Sequence, residues 1–347
     1  MIHLSRRGVC LGMAAAGVAA PARADEPLSQ KLDAVVRASP GFNGQVVVSE
    51  KGRVLLDAAY GVADPAARAP VTSGTRFQVA SITKLFTAVT VMSLVDDGKL
   101  GLNSTVEEFF HKAPKDKKAI TIAQLLSHTS GLPQDYAADG KRTRDAAVKA
   151  IFRSRLAFAP GQGFAYTNTG YALLAAIIEV AAREAYPGAV ASRLFPKAGM
   201  SDVRFWDGVD PARDPDVARI VPGPLTQKLG VNWGQRGSGG IWCSARELQL
   251  FASALTGGRL ISDRSFRELL EPRHELANDH AAYGWFVRKA RPRLHWMRGN
   301  EDFGHNAALF WYPERDLIVT VTTNAGNDGD VAFARAIGAR LEAALFT

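Results

Sequence analysis

Ser81-Ile-Thr-Lys-Leu-Phe-Thr-Ala-Val-Thr-Val-Met-Ser-Leu-Val-Asp-Asp-Gly98 places a hydroxyl, an amine three residues on and an apolar run in one stretch. The run from Thr83 to Asp97 reads as a helix, and Gly98 supplies its C-terminal cap. Positions i and i+3 share a helix face, so the Ser81 hydroxyl and the Lys84 ammonium can meet. The helix start adds free N–H groups and positive potential near the seryl oxygen, which suits a developing oxyanion. This Ser-x-x-Lys is the one such spacing in the chain. Chance produces the spacing often enough that it needs partners.

Outward from this helix the pattern changes. Upstream, Leu28 to Ala38 is a short amphipathic helix. The runs Gln45 to Ser49 and Arg53 to Tyr60 are β-rich, with a Glu50-Lys51-Gly52 hairpin turn between them. Downstream, Ser104-Thr-Val-Glu107, Thr121-Ile-Ala-Gln124 and Ser244-Ala-Arg-Glu247 are capping boxes, each opening a helix. Gly170 to Arg183 is hydrophobic almost all round and should be buried. Val203 to Gly240, broken by prolines and glycines, predicts a long irregular segment. After Leu270 the period is that of strands, at Tyr283 to Arg288, Arg293 to Arg298, Asn306 to Tyr312 and Leu317 to Thr323. Asp330 to Leu345 closes the chain as a helix. Strands at both ends and helices between predict a mixed α/β chain of the α+β type. One antiparallel sheet of N- and C-terminal strands is flanked by the first and last helices, and the middle forms a helical lobe. A crevice between lobe and sheet is a natural ligand site.

The 347 residues are 47% hydrophobic and 22% charged, which excludes disorder as the main state. Two cysteines exclude a disulfide scaffold. No run reaches the ~18 apolar residues of a spanning helix. The longest, Val9 to Ala20, follows Arg6 and Arg7 and precedes Pro21 and Ala22-Arg23-Ala24. It reads as a secretory signal cleaved after Ala24, and Ser5-Arg6-Arg7-Gly8 resembles a twin-arginine export signal. The expectation is a leader over 1–24 and one functional domain over 25–347, exported to the periplasm or beyond, with no membrane span after cleavage. The leader holds three Arg and no acid, so its loss lowers the net charge from +8 to +5 and leaves Cys243 as the one thiol. That charge does not indicate nucleic acid. The densest basic stretch, Lys141 to Arg155, has no interleaved aromatic except Phe152. It reads as a solvated helix face, with anion binding the alternative.

Several common motifs are absent: the Gly-x-Ser-x-Gly elbow, the zinc-protease helix, the P-loop and the dinucleotide fingerprint. Tyr166-Thr-Asn168 does occur, in a turn-rich run from Pro160 to Tyr171 just ahead of the buried helix. Phe303-Gly304-His305-Asn306-Ala307 enters a strand. With Ser81, Tyr166 and His305 in that order, the chain resembles the serine β-lactamase and penicillin-recognising hydrolase superfamily, in its class C-like branch. That branch holds D-alanyl-D-alanine carboxypeptidases, class C β-lactamases, D-aminopeptidases and β-lactamase-like esterases. Phe77-Gln-Val-Ala-Ser-Ile-Thr-Lys84 is similar to the nucleophile motif. Leu125-Leu-Ser-His-Thr-Ser-Gly-Leu132 is similar to a helix-ending signature, and Gly239-Gly-Ile-Trp-Cys-Ser-Ala-Arg-Glu-Leu248 to a later glycine-pair segment. The resemblance covers essentially the whole chain after the leader.

The resemblance implies a β-lactamase/transpeptidase-like fold and an acyl-enzyme on Ser81. Lys84 would sit between Ser81 and Tyr166, and Tyr166 would shuttle the proton. Asn168 would hold Lys84 and a substrate amide or carbonyl. The oxyanion hole would be the N–H groups of Ser81 and Ala308. No metal and no organic cofactor is implied. Unshifted Lys and Tyr are ~3 units too basic to lose a proton at pH 7. A tyrosinate beside Lys84⁺, or a desolvated neutral Lys84, would each serve as base, and the sequence leaves both open.

The third motif departs from the family pattern, in which Lys-Thr-Gly or His-x-Gly stands where this chain has His305-Asn306-Ala307. A histidine is mostly neutral at pH 7, which points away from efficient β-lactam hydrolysis and toward esters or peptides. Residues 305 and 307 of a strand face the same way, so Ala307 is expected to face the substrate with His305 and narrow the acyl site. The expected function is an exported serine hydrolase cleaving small esters or D-amino-acid peptides and amides. The alternatives are a class C-like β-lactamase and a penicillin- or wall-peptide-binding module that acylates without turnover. His128, inside the helix-ending signature, and Cys243, without a second thiol, read as structural.

Overall fold

The computed structural model describes residues 26–210, 213–219, 231–300, 304–328 and 331–347. The expected leader, its cleavage point at Ala24 and Cys10 lie outside the described residues. Helix α1 (Glu26–Arg37) leads into a hairpin of β1 (Gly44–Glu50) and β2 (Arg53–Tyr60). The two turn residues, Lys51 and Gly52, have φ of 51° and 74°. A two-residue turn of that hand matches the twist of the flanking strands, and glycine adopts it without steric cost.

The lobe follows. Its long helices are α2 (Thr83–Asp96), α3 (Asn168–Ala182), α4 (Tyr186–Ala198) and α5 (Ala245–Thr256). Every residue from Thr83 to Leu94 is buried, which is why α2 is apolar all round instead of striped. The chain then returns to the sheet through β3 (His274–Glu275), β4 (Asp279–Ala281), β5 (Phe286–Arg288), β6 (His295–Asn300), β7 (Asn306–Tyr312) and β8 (Leu317–Thr323). Helix α6 (Phe333–Phe346) ends it. These labels cover the eight strands of the large sheet, whose order is β2-β1-β8-β7-β6-β5-β4-β3, antiparallel at every step. The N-terminal hairpin thus docks beside the last strand, with Gly44 opposite Thr323.

The sheet is covered on both faces, and β7 shows the alternation. Ala308, Phe310 and Tyr312 join Leu32 and Val36 of α1 and Ile337 and Leu341 of α6 in one core. Ala307, Leu309 and Trp311 join Leu85, Phe86 and Val89 of α2 in the other. The mixed α/β architecture with terminal strands in one antiparallel sheet is as expected from the sequence.

Four details differ. Strands β3 and β4 are too short to leave a periodic signal. The box near residue 104 is shifted by one, with Thr105 as cap and Glu108 as its partner. Ser244 caps α5 by accepting from Glu247 N–H, but the Glu247 carboxylate does not return the bond. It accepts instead from the N–H groups of Ser201 and Asp202. In the segment expected to be irregular, Arg204–Phe205 forms a small sheet with Ile241–Cys243 and Phe77–Gln78. That sheet fixes the chain just ahead of Ser81.

Candidate active site

Ser81 lies in a 3-10 turn, Ala80–Ile82, that runs directly into α2. Ala80 before it has φ of 47°, a left-handed conformation that costs a side-chain-bearing residue energy and persists only where its surroundings enforce it. The enforcement comes from β6. A Cβ on Gly299 would collide with the Val79 carbonyl and crowd Ala80. The strand therefore presses on the residues that aim Ser81.

Lys84 Nζ lies 3.0 Å from Ser81 Oγ, 2.7 Å from Asn168 Oδ1 and 2.8 Å from the Ser238 carbonyl. Its side chain is wholly buried. The rings of Tyr166 and Tyr171 stand 4.8 Å and 5.7 Å from the same nitrogen, a cation–π arrangement that offsets part of the desolvation. Asn168 is free to take Lys84 because Thr167 is the cap of α3, its hydroxyl accepting from Gly170 N–H at 3.0 Å. The same hydroxyl donates to the Pro133 carbonyl.

Tyr166 is held by His128. The His128 carbonyl accepts from Ala165 N–H, and its Nδ1 accepts from Thr167 N–H at 3.1 Å. Its ring stacks on Tyr166 with centroids 4.5 Å apart. Burial, then the nearby Lys84, pulls the His128 pKa down to about 3. The neutral imidazole keeps Nδ1 as an acceptor, which an imidazolium could not do. His128 is thus a positioning residue for Tyr166, a more specific role than the structural one read from its signature.

Ser81, Tyr166 and Asn168 open onto one cleft of about 650 Å³, with Lys84 behind them. Its wall is aromatic. Phe286 stacks on Trp296 at 4.8 Å and on Tyr166 at 6.4 Å. Trp296 donates from Nε1 to Asp279 at 3.0 Å. The guanidiniums of Arg298 and Arg335 lie 5.9 Å and 5.8 Å from the Trp296 ring. Neither has an ion pair among the described residues. Desolvation and the neighbouring Arg335 hold Arg298 below the usual guanidinium range.

The structure does not bring His305, Ala307 or Ala308 to this cleft, and this corrects the third element. The strand beside Ser81 is β6, and β7 lies one strand further in. Ala307 and Ala308 pair with Gly299 and Arg298 on one side and with Thr322 and Val321 on the other. Both flanks of β7 are occupied, so Ala308 offers no N–H to an oxyanion, and the buried Ala307 methyl meets the lobe core. His305 is buried against Trp242 and Phe77, and its Nδ1 accepts from Gln78 N–H at 3.2 Å. Burial lowers its pKa to about 4. It braces the small sheet ahead of Ser81.

Sequence reasoning missed Arg298, Trp296, Gly299 and the Ser238 carbonyl. A strand over Arg293 to Arg298 was legible, but which strand borders the lobe depends on sheet order. Cys243 is buried and free, and burial raises its thiol.

A family model described as Beta-lactamase matches residues 32–344. Penicillin-binding protein 4* of Bacillus subtilis (strain 168) is 34% identical over 176 residues, which are 48% of this chain and 38% of that one. The penicillin binding protein from Bacillus halodurans superposes with a TM-score of 0.77 at 24% identity, covering 90% of this chain and 99% of that one. The D-amino acid amidase from Ochrobactrum anthropi SV3, complexed with D-phenylalanine, superposes with a TM-score of 0.77 at 23% identity, covering 92% and 99%. Likeness at such identities carries the fold. The chain spans from 38% to 59% of the length of the first curated relatives it matches.

Proposed function

This chain belongs to the Beta-lactamase family, and from that premise we propose that it is an exported serine hydrolase that cleaves small esters or D-amino-acid amides and peptides through an acyl-enzyme on Ser81. The observation that carries the reading is the set of contacts at Lys84 Nζ, which ties Ser81 to Asn168 beside Tyr166 at the head of one cleft. Ser81 Oγ attacks the scissile carbonyl and its proton passes to Tyr166, which returns it to the leaving group. Lys84 remains the cation that favours a tyrosinate and orients the seryl oxygen. The Ser81 N–H supplies one oxyanion donor, and β6 is the strand in place to supply the second.

Arg298 and Arg335 refine the substrate. Arg298 on the cleft wall and Arg335 beside the same Trp296 ring, neither with an ion pair among the described residues, favour a substrate carrying an anionic group, and the Phe286–Trp296 stack favours an apolar or aromatic group beside it. A peptide ending in a free carboxylate meets both. A β-lactam carboxylate would meet them too, so the cleft's charge supports β-lactams as a second substrate class more than His305 alone suggested. Export rests on the Arg6-Arg7 start, the apolar run and Ala22-Arg23-Ala24.

Intact-protein mass spectrometry after exposure to a fluorophosphonate, a penicillin and a D-Ala-D-Ala peptide tests the reading, with p-nitrophenyl acetate turnover run alongside. We expect adducts on wild type, more than one turnover per chain, and neither adduct nor turnover for Ser81→Ala with an unchanged melting temperature. Labelling of Ser81→Ala would remove the nucleophile assignment. Labelling of wild type without turnover would leave a binding module.

A further inference from the structure

The basic stretch of the lobe has no part in the reaction above, and it borders a second concavity. Helix Arg144–Arg153 and the loop after the short helix Val106–Phe109 enclose a groove of about 590 Å³. Phe110, Pro114, Val148 and Phe152 line its apolar part, with the Phe110 and Phe152 rings edge-to-face at 6.0 Å. Lys112, Lys149 and Arg153 also line it, all exposed. None of the three has an ion pair among the described residues. The acid in the groove, Asp145, contacts Arg144 instead, at 3.4 Å.

We infer that this groove binds a single-chain anionic amphiphile, its alkyl chain against Phe110 and Phe152 and its carboxylate or equivalent head among Lys112, Lys149 and Arg153. An apolar trough edged by unpaired cations complements a ligand with one apolar and one anionic end. A neutral apolar ligand would leave the cations unused, and a compact anion would leave the trough wet. The shape favours a monomeric ligand over a bilayer surface. Insertion into a bilayer needs protruding apolar side chains, and the large exposed apolar residues among those described, Tyr136, Val331 and Phe346, all lie outside the groove. The volume falls within the range of small-molecule sites. The inference stands apart from the chemistry at Ser81.

Calorimetric titration of the whole protein with octanoate, decanoate and dodecanoate, each below its micelle concentration, tests it. Saturable one-to-one binding is expected, tightening about fourfold per added methylene, the equivalent of ~0.8 kcal/mol. Lys112→Glu/Lys149→Glu should weaken dodecanoate by about tenfold or more and leave ester turnover and melting temperature unchanged. Arg298→Ala should leave dodecanoate binding as it was. The inference fails if no saturable binding occurs, if charge reversal changes nothing, or if Arg298→Ala abolishes binding, which would place the chain in the catalytic cleft. Binding to anionic phospholipid vesicles with none to dodecanoate would also overturn it.

Discussion

Lys84 has three acceptors around Nζ, matching the three N–H bonds of an ammonium. A neutral amine would satisfy the same site by donating to Asn168 and Ser238 and accepting from the Ser81 hydroxyl, so these contacts fit either charge state, and the proposal above takes the ammonium, with Tyr166 receiving the seryl proton. Tyr166→Phe should therefore lower single-turnover acylation by ~10²-fold or more, the usual scale for a positioned proton-transfer group, with KM nearly unchanged. Wild-type acylation in stopped-flow would return the base role to Lys84. Neighbouring strands separate two further substitutions. Ala307→Gly should cost about 0.5–1 kcal/mol for glycine in a strand and leave the ratio of kcat/KM for a short ester and nitrocefin as it was. Gly299→Ala should push β6 off Val79 and Ala80 and reduce acylation of both. A selective rise for nitrocefin in Ala307→Gly would bring that methyl back into the acyl site. Ser81, Lys84, Tyr166 and Asn168 were legible because their spacings are local. Arg298 was not, because a sequence motif names a strand without saying which neighbour will cover it.

At the scale of elements, the site depends on where α3 starts. Thr167 ends the loop that carries Tyr166 and begins the helix that carries Asn168. Its hydroxyl serves both the helix N-terminus and the Pro133 carbonyl. Thr167→Ala should cost about 1 kcal/mol in cap energy and also reduce kcat, since Asn168 loses a fixed helix start. Denaturant midpoints and kcat measured together check this, and a stability loss with unchanged kcat would uncouple the cap from Lys84. The elements most visible in the sequence were those with their own periodicity, β1, β2, β7, β8 and the apolar α3. The least visible were β3 and β4, which exist because β5 offers them an edge. The Ser244 cap was legible while the further use of its Glu247 was not, since Ser201 and Asp202 reach that carboxylate only through the fold.

For the whole molecule, three buried histidines set the acid limit. Burial holds His128 at about 3 and His295 and His305 at about 4, against 6.5 when exposed. Below about pH 6.5 the unfolded chain binds protons that the native state refuses. Stability then falls with pH through about pH 4 for His295 and His305 and through about pH 3 for His128, by up to about 1.4 kcal/mol per histidine per pH unit. Glu247, whose carboxyl is raised by burial, opposes the trend weakly. Urea midpoints should drop between pH 7 and pH 4.5, and a flat profile would contradict the burial of these rings. The alternation of strands and helices gave the terminal strands as one sheet, and the pairing of Gly44 with Thr323 gives that closure a kinetic meaning. Local helices such as α2 can form while the chain is still growing, but the sheet must join segments from opposite ends of the sequence, a slow step that carries the loop-closure entropy. Ser81 has its helix early and its wall, β6, late. On the reading proposed above, acylation at Ser81 waits for the late strands of the sheet, so covalent labelling of Ser81 reports that the sheet has closed.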